Sequence, residues 1–418
     1  MDKYLINGAK RLKGRVKISG SKNAALPIII ATLLTDEKCT LRNIPDLADI
    51  RSICSLVESL GKKIIRKQNV VNVLPSKVSR FLAPYRLVNK MRASFLVSGP
   101  LLVRGLKAQV SLPGGCAIGS RPLDIHLKAF EQLGAAIEIK KGYVNIAAQK
   151  LSPNRVIFDY PSVGATENIL MAASLLEGTT VIENAAQEPE VVDLAEFLNK
   201  MGVRIIGAGN KIITVKGRKQ LYGTDHTVIP DRIETATFLI AGAITKGSII
   251  LENTNAAHLR QVIQKLKESG VKVDTSRDSQ IKIKCTNRIK SVSIETQPYP
   301  GFPTDVQAQW MALMSVADGS CSITENVFEN RFVHAAELAR MGAKLIIRGS
   351  TVNVKGVKEL SGAPVMVSDL RAGAALVLAG LSARGETRVM RIYHLDRGYE
   401  DLHKKLRKLG GNIRRVTG

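Results

Sequence analysis

Aromatic side chains are scarce in this chain: one Trp, eight Tyr and nine Phe make 4% of its 418 residues. So few rings leave little on which single-stranded bases could stack. Paired cysteines are lacking too. Cys39, Cys54, Cys116, Cys285 and Cys321 are odd in number, widely spaced and without a CxxC, which speaks against a disulfide framework, a zinc site or a redox dithiol. They read as free thiols of a reducing compartment. Long apolar runs are missing: stretches such as Ala372 to Leu381 are about half a membrane span, and Met1 to Gly20 has neither the apolar core nor the cleavage site of a secretory signal. The expectation is a cytoplasmic protein with no membrane insertion. Acidic residues are in deficit, 36 against 61 Lys and Arg, giving a net charge of +25. Such a field speeds encounters with anions, whether nucleic acid, membrane or phosphorylated metabolites, although scattered solvated lysines account for it equally well.

What is present is a foldable core. Apolar residues make 45% of the chain, and 34 Gly and 15 Pro are spread without low complexity. The length suggests two or three domains. A repeat sets the architecture: a helix-like segment ends in hydrophobic-Gly and a strand follows, at Gly61, Gly134, Gly202, Gly270, Gly342 and Gly410, spaced 73, 68, 68, 72 and 68 residues apart. A second marker recurs in phase, an Ala-rich stretch, a turn glycine and a strand ending in Asn: LLEGTTVIEN to Asn184, ITKGSIILEN to Asn253, ADGSCSITEN to Asn326. Each glycine suits a helix end. Each unit reads helix, strand, loop, helix, then two strands, such as KIITVKG and DHTVIPD after Gly202. After Gly410 those strands are missing, whereas Tyr4 to Asn7 and Gly14 to Ser19 stand alone before the first helix, so this leader is expected to complete the sixth unit. Residues 1–21 with 230–418 then form one domain and 22–229 the other, with the cleft between them as the expected ligand site.

The second unit is irregular: turn glycine to hydrophobic-Gly takes 29 residues there and 23 to 25 in the four other units that can be measured. The longer loop holds Leu112 to Pro122, with Cys116 among glycines and Arg121 beside it. A thiol there reads as a nucleophile or acid whose pKa Arg121 lowers, or as a side chain that fills space. Other helix starts and loops carry charge: Lys22-Asn23, Lys90-Met91-Arg92, Ser162-Val163-Gly164, Thr304-Asp305, Glu329-Asn330-Arg331, Asp369-Leu370-Arg371 and Asp396-Arg397-Gly398. Free backbone donors plus cations suit phosphate and carboxylate groups, though any one of these is an ordinary cap or solvated charge.

The segments SGSKNAALP, MRASFLVSGPLL, PGGCAIGSRPLDIH, PSVGATEN, ENAAQEPEVVDL, PDRIETATF, GFPTDVQAQ, FENRF, SDLRAGAALVLAGL and DRGYEDL, in order from Tyr4 to Gly410, closely resemble the UDP-N-acetylglucosamine 1-carboxyvinyltransferase family of enolpyruvyl transferases. The resemblance implies an α/β fold, a two-domain inside-out α/β barrel of six βαβαββ-type repeats, three per domain. It implies transfer of enolpyruvyl from phosphoenolpyruvate to the 3-hydroxyl of UDP-N-acetylglucosamine with release of phosphate, the committed step toward peptidoglycan, with no cofactor, no metal and no obligate nucleic acid. By the same resemblance Cys116 protonates phosphoenolpyruvate, can form a covalent adduct with it and is the target of fosfomycin, an epoxide mimic. Asp305 is the base near the sugar hydroxyl, and Lys22 and Arg397 act beside them. Lys22, Asn23, Arg121, Arg331, Arg371 and Arg397 hold phosphoenolpyruvate. Arg92, Arg121, Pro122, Leu123, Asp124, Ile125, Ser162, Val163, Gly164, Asp305 and Val327 hold the nucleotide sugar. Tyr160-Pro161 departs from the basic residue that some members carry there. Two rivals remain, the related shikimate-pathway transferase, whose sites use no Gly-Gly-Cys loop, and a non-catalytic basic repeat protein that binds RNA.

Overall fold

The computed structural model describes residues 2–112 and 123–417. Cys116, Arg121 and Pro122 lie outside the described residues. Six four-stranded sheets are formed, all on one plan. In the third, Arg155–Ile157 runs parallel to Gly178–Glu183, which pairs antiparallel with Ile212–Gly217, which pairs antiparallel with Arg204–Ile206. The six glycine-marked repeats are these six sheets, three in each of two compact units. One unit comprises 20–112 and 123–229, the other 2–19 and 230–417.

Between the parallel strands of a repeat runs a helix apolar on every side. Val163–Ala173, Arg232–Ile244, Gln307–Met314 and Leu370–Ser382 are buried at almost every position, as a helix without a polar face must be. Their Ala and Gly content lets neighbours close in: a Cβ on Gly373 would lie 2.9 Å from the Leu395 side chain. The second helix of each repeat ends at the hydrophobic-Gly marker, where φ is between 90° and 118° and a left-handed residue closes the helix.

The turn-glycine marker holds at Gly178 and Gly319, at φ 125° and 94°, but not at Gly247. There Lys246 takes the left-handed turn at φ 49°, and Gly247 is required because a Cβ would stand 2.4 Å from the Leu12 carbonyl oxygen. The recurring asparagine does more than end a strand. Asn184 and Asn253, at φ 54° and 58°, donate their side-chain amides to the carbonyls of Phe158 and Ile18 at 2.9 and 2.8 Å, and Asn43 does the same to Val228 at 2.8 Å. Each amide ties the end of a repeat's second strand to the end of its first.

Those ties show where the leader belongs, and the expectation that it completes the sixth repeat is half right. Lys3–Asn7 lies in the sixth sheet, between Glu386–Met390 and Asn412–Val416, and takes the place of the missing fourth strand. Lys13–Lys17 instead opens the fourth sheet, parallel to Ser248–Glu252. Asp225–Thr227, expected to finish the third repeat, opens the first sheet, parallel to Cys39–Arg42, while the third repeat's own hairpin is Arg204–Ile206 with Ile212–Gly217. Counting strands per repeat cannot reveal this, because the chain changes unit between an opening strand and the helix that follows it. A buried carboxylate pins each change of unit: Glu234 accepts from the Ser19 backbone N–H at 2.8 Å, and Asp193 from that of Ile229 at 3.2 Å. Among the described residues no helix is long and apolar enough to cross a membrane.

Candidate active site

In the unit of 2–19 and 230–417, the starts of the buried helices gather charge. Asp231 and Asp369 cap Arg232–Ile244 and Leu370–Ser382, each accepting two backbone N–H groups at 2.8–3.0 Å. Asp305 sits in the turn Thr304–Val306 that leads into Gln307–Met314. Its Oδ1 accepts from Arg331 Nη2 at 2.7 Å and its Oδ2 from Arg371 Nη2 at 2.9 Å. The two arginine side chains are 4% and 6% exposed, the aspartate 27%, so the anion faces outward and the cations sit behind it. An ionised carboxylate has about four acceptor positions and can serve several donors at once.

Packing fixes this clamp. Arg331 also donates to Thr304 Oγ1 at 2.9 Å, and that hydroxyl donates to Glu325 Oε2 at 2.9 Å. Glu325 Oε1 takes the backbone N–H of Val327 at 2.9 Å, so the Val327 loop is tied to the same network. Arg371 donates to the Tyr399 hydroxyl at 3.2 Å, and Tyr399 bonds Thr237 at 2.9 Å. Burial opposes the charge of Arg371, but Asp305, Tyr399 and Asp231 outweigh it and hold the guanidinium above its ordinary range. Burial also raises the Tyr399 phenol, against the pull of Arg371. Arg397 ends the turn Ile392–Arg397, whose Leu395 packs on Gly373 of the Leu370–Ser382 helix. The structure thus brings Asp305, Arg331 and Arg371 into direct contact and ties Val327 to them through Glu325.

In the unit of 20–112 and 123–229, Lys22 and Asn23 open the Lys22–Ala31 helix, capped by Ser21. Lys22 Nζ lies 3.4 Å from Asp49 Oδ2, and both side chains are almost buried. Ser162 caps Val163–Ala173. The next turn holds Gly164, where a Cβ would come within 3.1 Å of the His126 ring, so glycine admits the imidazole to the helix. His126 Nδ1 meets the Asn168 amide at 3.0 Å. Burial, helped by Arg92, pulls its pKa down to about 3. Gly164 and Arg92, at the start of Arg92–Val97, therefore both lie close to one histidine, and Ser162 and Val163 directly precede Gly164 in the chain. Leu123, Asp124 and Ile125 open the helix that carries the histidine, Asp124–Gln132. Tyr160 is largely exposed just before the Ser162 cap. On the same helix Glu167 is buried, and burial together with Glu190 and Glu188 raises its carboxyl well above the ordinary value.

Sequence reasoning missed Glu325, Tyr399, Asp49, His126 and Asn168. Four of the five stand inside or beside the quoted motifs, in ITEN, DRGYEDL, RPLDIH and PSVGATEN, but spacing alone does not say which of them bond. Asp49 lies on the outer helix Ala48–Ser59 and has no such signal. Among the described residues no three metal-ligating side chains gather.

The chain resembles known proteins along its whole length. The family model described as EPSP synthase (3-phosphoshikimate 1-carboxyvinyltransferase) matches residues 6–406. A UDP-N-acetylglucosamine 1-carboxyvinyltransferase of Endomicrobium trichonymphae is 55% identical over 99% of both chains, and one of Desulfosudis oleivorans is 54% identical over 100% of both. Among solved structures, the enolpyruvyl transferase NikO from Streptomyces tendae superposes with a TM-score of 0.90 at 26% identity, covering 100% of this chain and 99% of that one. An EPSP synthase from Acinetobacter baumannii, at 19% identity and a TM-score of 0.80 over 100% of both chains, shares the fold.

Proposed function

Because the chain belongs to the UDP-N-acetylglucosamine 1-carboxyvinyltransferases of the EPSP synthase family, we infer that it moves the enolpyruvyl group of phosphoenolpyruvate to the 3-hydroxyl of UDP-N-acetylglucosamine and releases phosphate. The observation that carries this reading is the clamp of two buried arginines on one outward carboxylate. Arg331, Arg371, Arg397 and Lys22 are the cations for the phosphate and carboxylate of phosphoenolpyruvate. Asn23 and Arg121 join them. Cys116 gives its proton to the methylene carbon, which makes the neighbouring carbon electrophilic. The sugar hydroxyl attacks that carbon and passes its proton to the Asp305 carboxylate. Loss of phosphate, with a proton from the new methyl group, restores the double bond. Arg92, Ser162, Val163 and Gly164, with Arg121 to Ile125 and Val327, take the nucleotide sugar. The substrates and the free thiols suit the cytoplasm.

Phosphate release tests this directly. It is expected to require both phosphoenolpyruvate and UDP-N-acetylglucosamine. Release that proceeds with 3-phosphoshikimate as acceptor and not with the nucleotide sugar would overturn the reading.

A further inference from the structure

The unit of 2–19 and 230–417 holds a cavity of about 300 Å³ at the opposite ends of the three helices that begin at Asp231, Asp305 and Asp369. A helix of thirteen residues such as Arg232–Ile244 puts it about 20 Å from the Asp305 clamp. Its wall is built by repetition. The loop after Lys3–Asn7 supplies Lys10 and Arg11, the loop after Gln280–Lys284 supplies Arg288, and the loop after Thr351–Lys355 supplies Lys358. Lys246 comes from the end of Arg232–Ile244, and Glu359 is the one carboxylate in the lining. Three equivalent loops therefore each bring a cation to one hollow.

Helix ends offer an ordinary reason for these cations, since each carbonyl end carries roughly half a negative charge. Three ends then account for about one and a half charges, whereas the lining carries five cations against one carboxylate. Arg288 meets the carbonyl oxygens of Val316, Ala317 and Val357, at 3.3, 2.7 and 3.1 Å, and pairs with Asp318 at 3.2 Å, so the surplus rests on the four other cations. Among the described residues Lys10, Arg11, Lys246 and Lys358 form no ion pair. Positive charge is left over, facing a space larger than one phosphate group.

We propose that this cavity binds a compact polyphosphate, a di- or triphosphate that is either inorganic or part of a nucleotide, at a site separate from the Asp305 clamp. Cations brought by three loops suit the several charged groups of such a chain.

Calorimetric titration with inorganic triphosphate and with a nucleoside triphosphate, at low and at moderate salt, tests the proposal. Binding is expected for both and is expected to weaken as salt rises. Arg11→Gln combined with Lys358→Gln, both at exposed loop positions, should weaken it at least tenfold and leave kcat and both KM values unchanged. Lys246→Gln alone should show the same sign. Equal affinity of the nucleotide and the inorganic ion assigns recognition to the phosphates, and tighter binding of the nucleotide adds a contact to its nucleoside. The proposal fails if neither ion binds, or if the double variant binds triphosphate as tightly as the parent. It also fails if only a single-stranded RNA oligonucleotide binds in a way that the double substitution abolishes.

Discussion

Asp305 meets two guanidiniums with one carboxylate, so its replacement does two things. Judged from sequence, Asp305→Asn removes only a charge from a substrate cleft. In the structure it also strips the shared anion from Arg331 and Arg371, and leaving buried charges unpaired costs about 3–5 kcal/mol in well-buried cases. Turnover is expected to fall about 100-fold or more and the melting temperature to fall with it; unchanged turnover would remove Asp305 from the chemistry. The thiols separate just as clearly. Burial pushes Cys54 up to about 12 and Cys321 up to about 11, and raises Cys39 and Cys285 as well. All four are buried, so the fosfomycin adduct is expected on Cys116 by mass spectrometry, faster with the nucleotide sugar present. Cys116→Asp should turn over yet resist the epoxide, and Cys116→Ala should lose both activity and labelling. His126 contributes a pH dependence. Its folded pKa of about 3 lies below the ordinary 6.5, so as pH falls through that window the unfolded chain takes up a proton that the folded chain refuses. Stability present above about pH 6.5 is then lost at up to about 1.4 kcal/mol per pH unit. Melts of His126→Gln between neutral and mildly acidic pH should show a shallower loss than the parent; parallel curves would mean that His126 titrates normally.

Elements were legible where sterics leave one solution. Six glycines at the ends of six outer helices could be read directly, because L-residues rarely take φ near 90°. The Ala-rich stretches of the second marker were also legible, though not their burial on every side. What could not be read was partnership. Lys13–Lys17 and Asp225–Thr227 look like any other strand, and only the amides of Asn253 and Asn43 reveal the sheets they open. Likewise Asp305, Arg331 and Arg371 were all picked out, yet their mutual contact depends on two loops of the fifth repeat meeting each other and on the sixth repeat lying beside them. The asparagine ties can be tested. Asn184 holds φ 54° and the bond to Phe158. Asn184→Gly should lose only the bond, and Asn184→Ala should cost about 1 kcal/mol more through backbone strain, read from denaturant midpoints. Equal loss in the two variants would leave the left-handed turn without importance.

At the scale of the whole molecule the net charge of +25 remains mostly diffuse, and the cavity at the far ends of the helices is one place where it is concentrated. The strand exchange has a consequence in time. Lys3–Asn7 finds its neighbours in Glu386–Met390 and Asn412–Val416, and the ion pair of Asp2 with Arg415 joins residues 413 positions apart. At 5–20 residues per second a ribosome needs about 20 to 80 s to make that interval. The unit of 20–112 and 123–229 depends on no such delay, since its opening strand, Asp225–Thr227, is made together with its own last helix and sheet. On arrested nascent chains it should become resistant to protease once residue 229 has cleared the exit tunnel, while the earliest-made strands are still cut. Simultaneous protection of both units would refute this order. The first strands to emerge are thus among the last to be sheltered, and a chaperone that holds the nascent N-terminus would guard two unpaired sheet edges for most of translation.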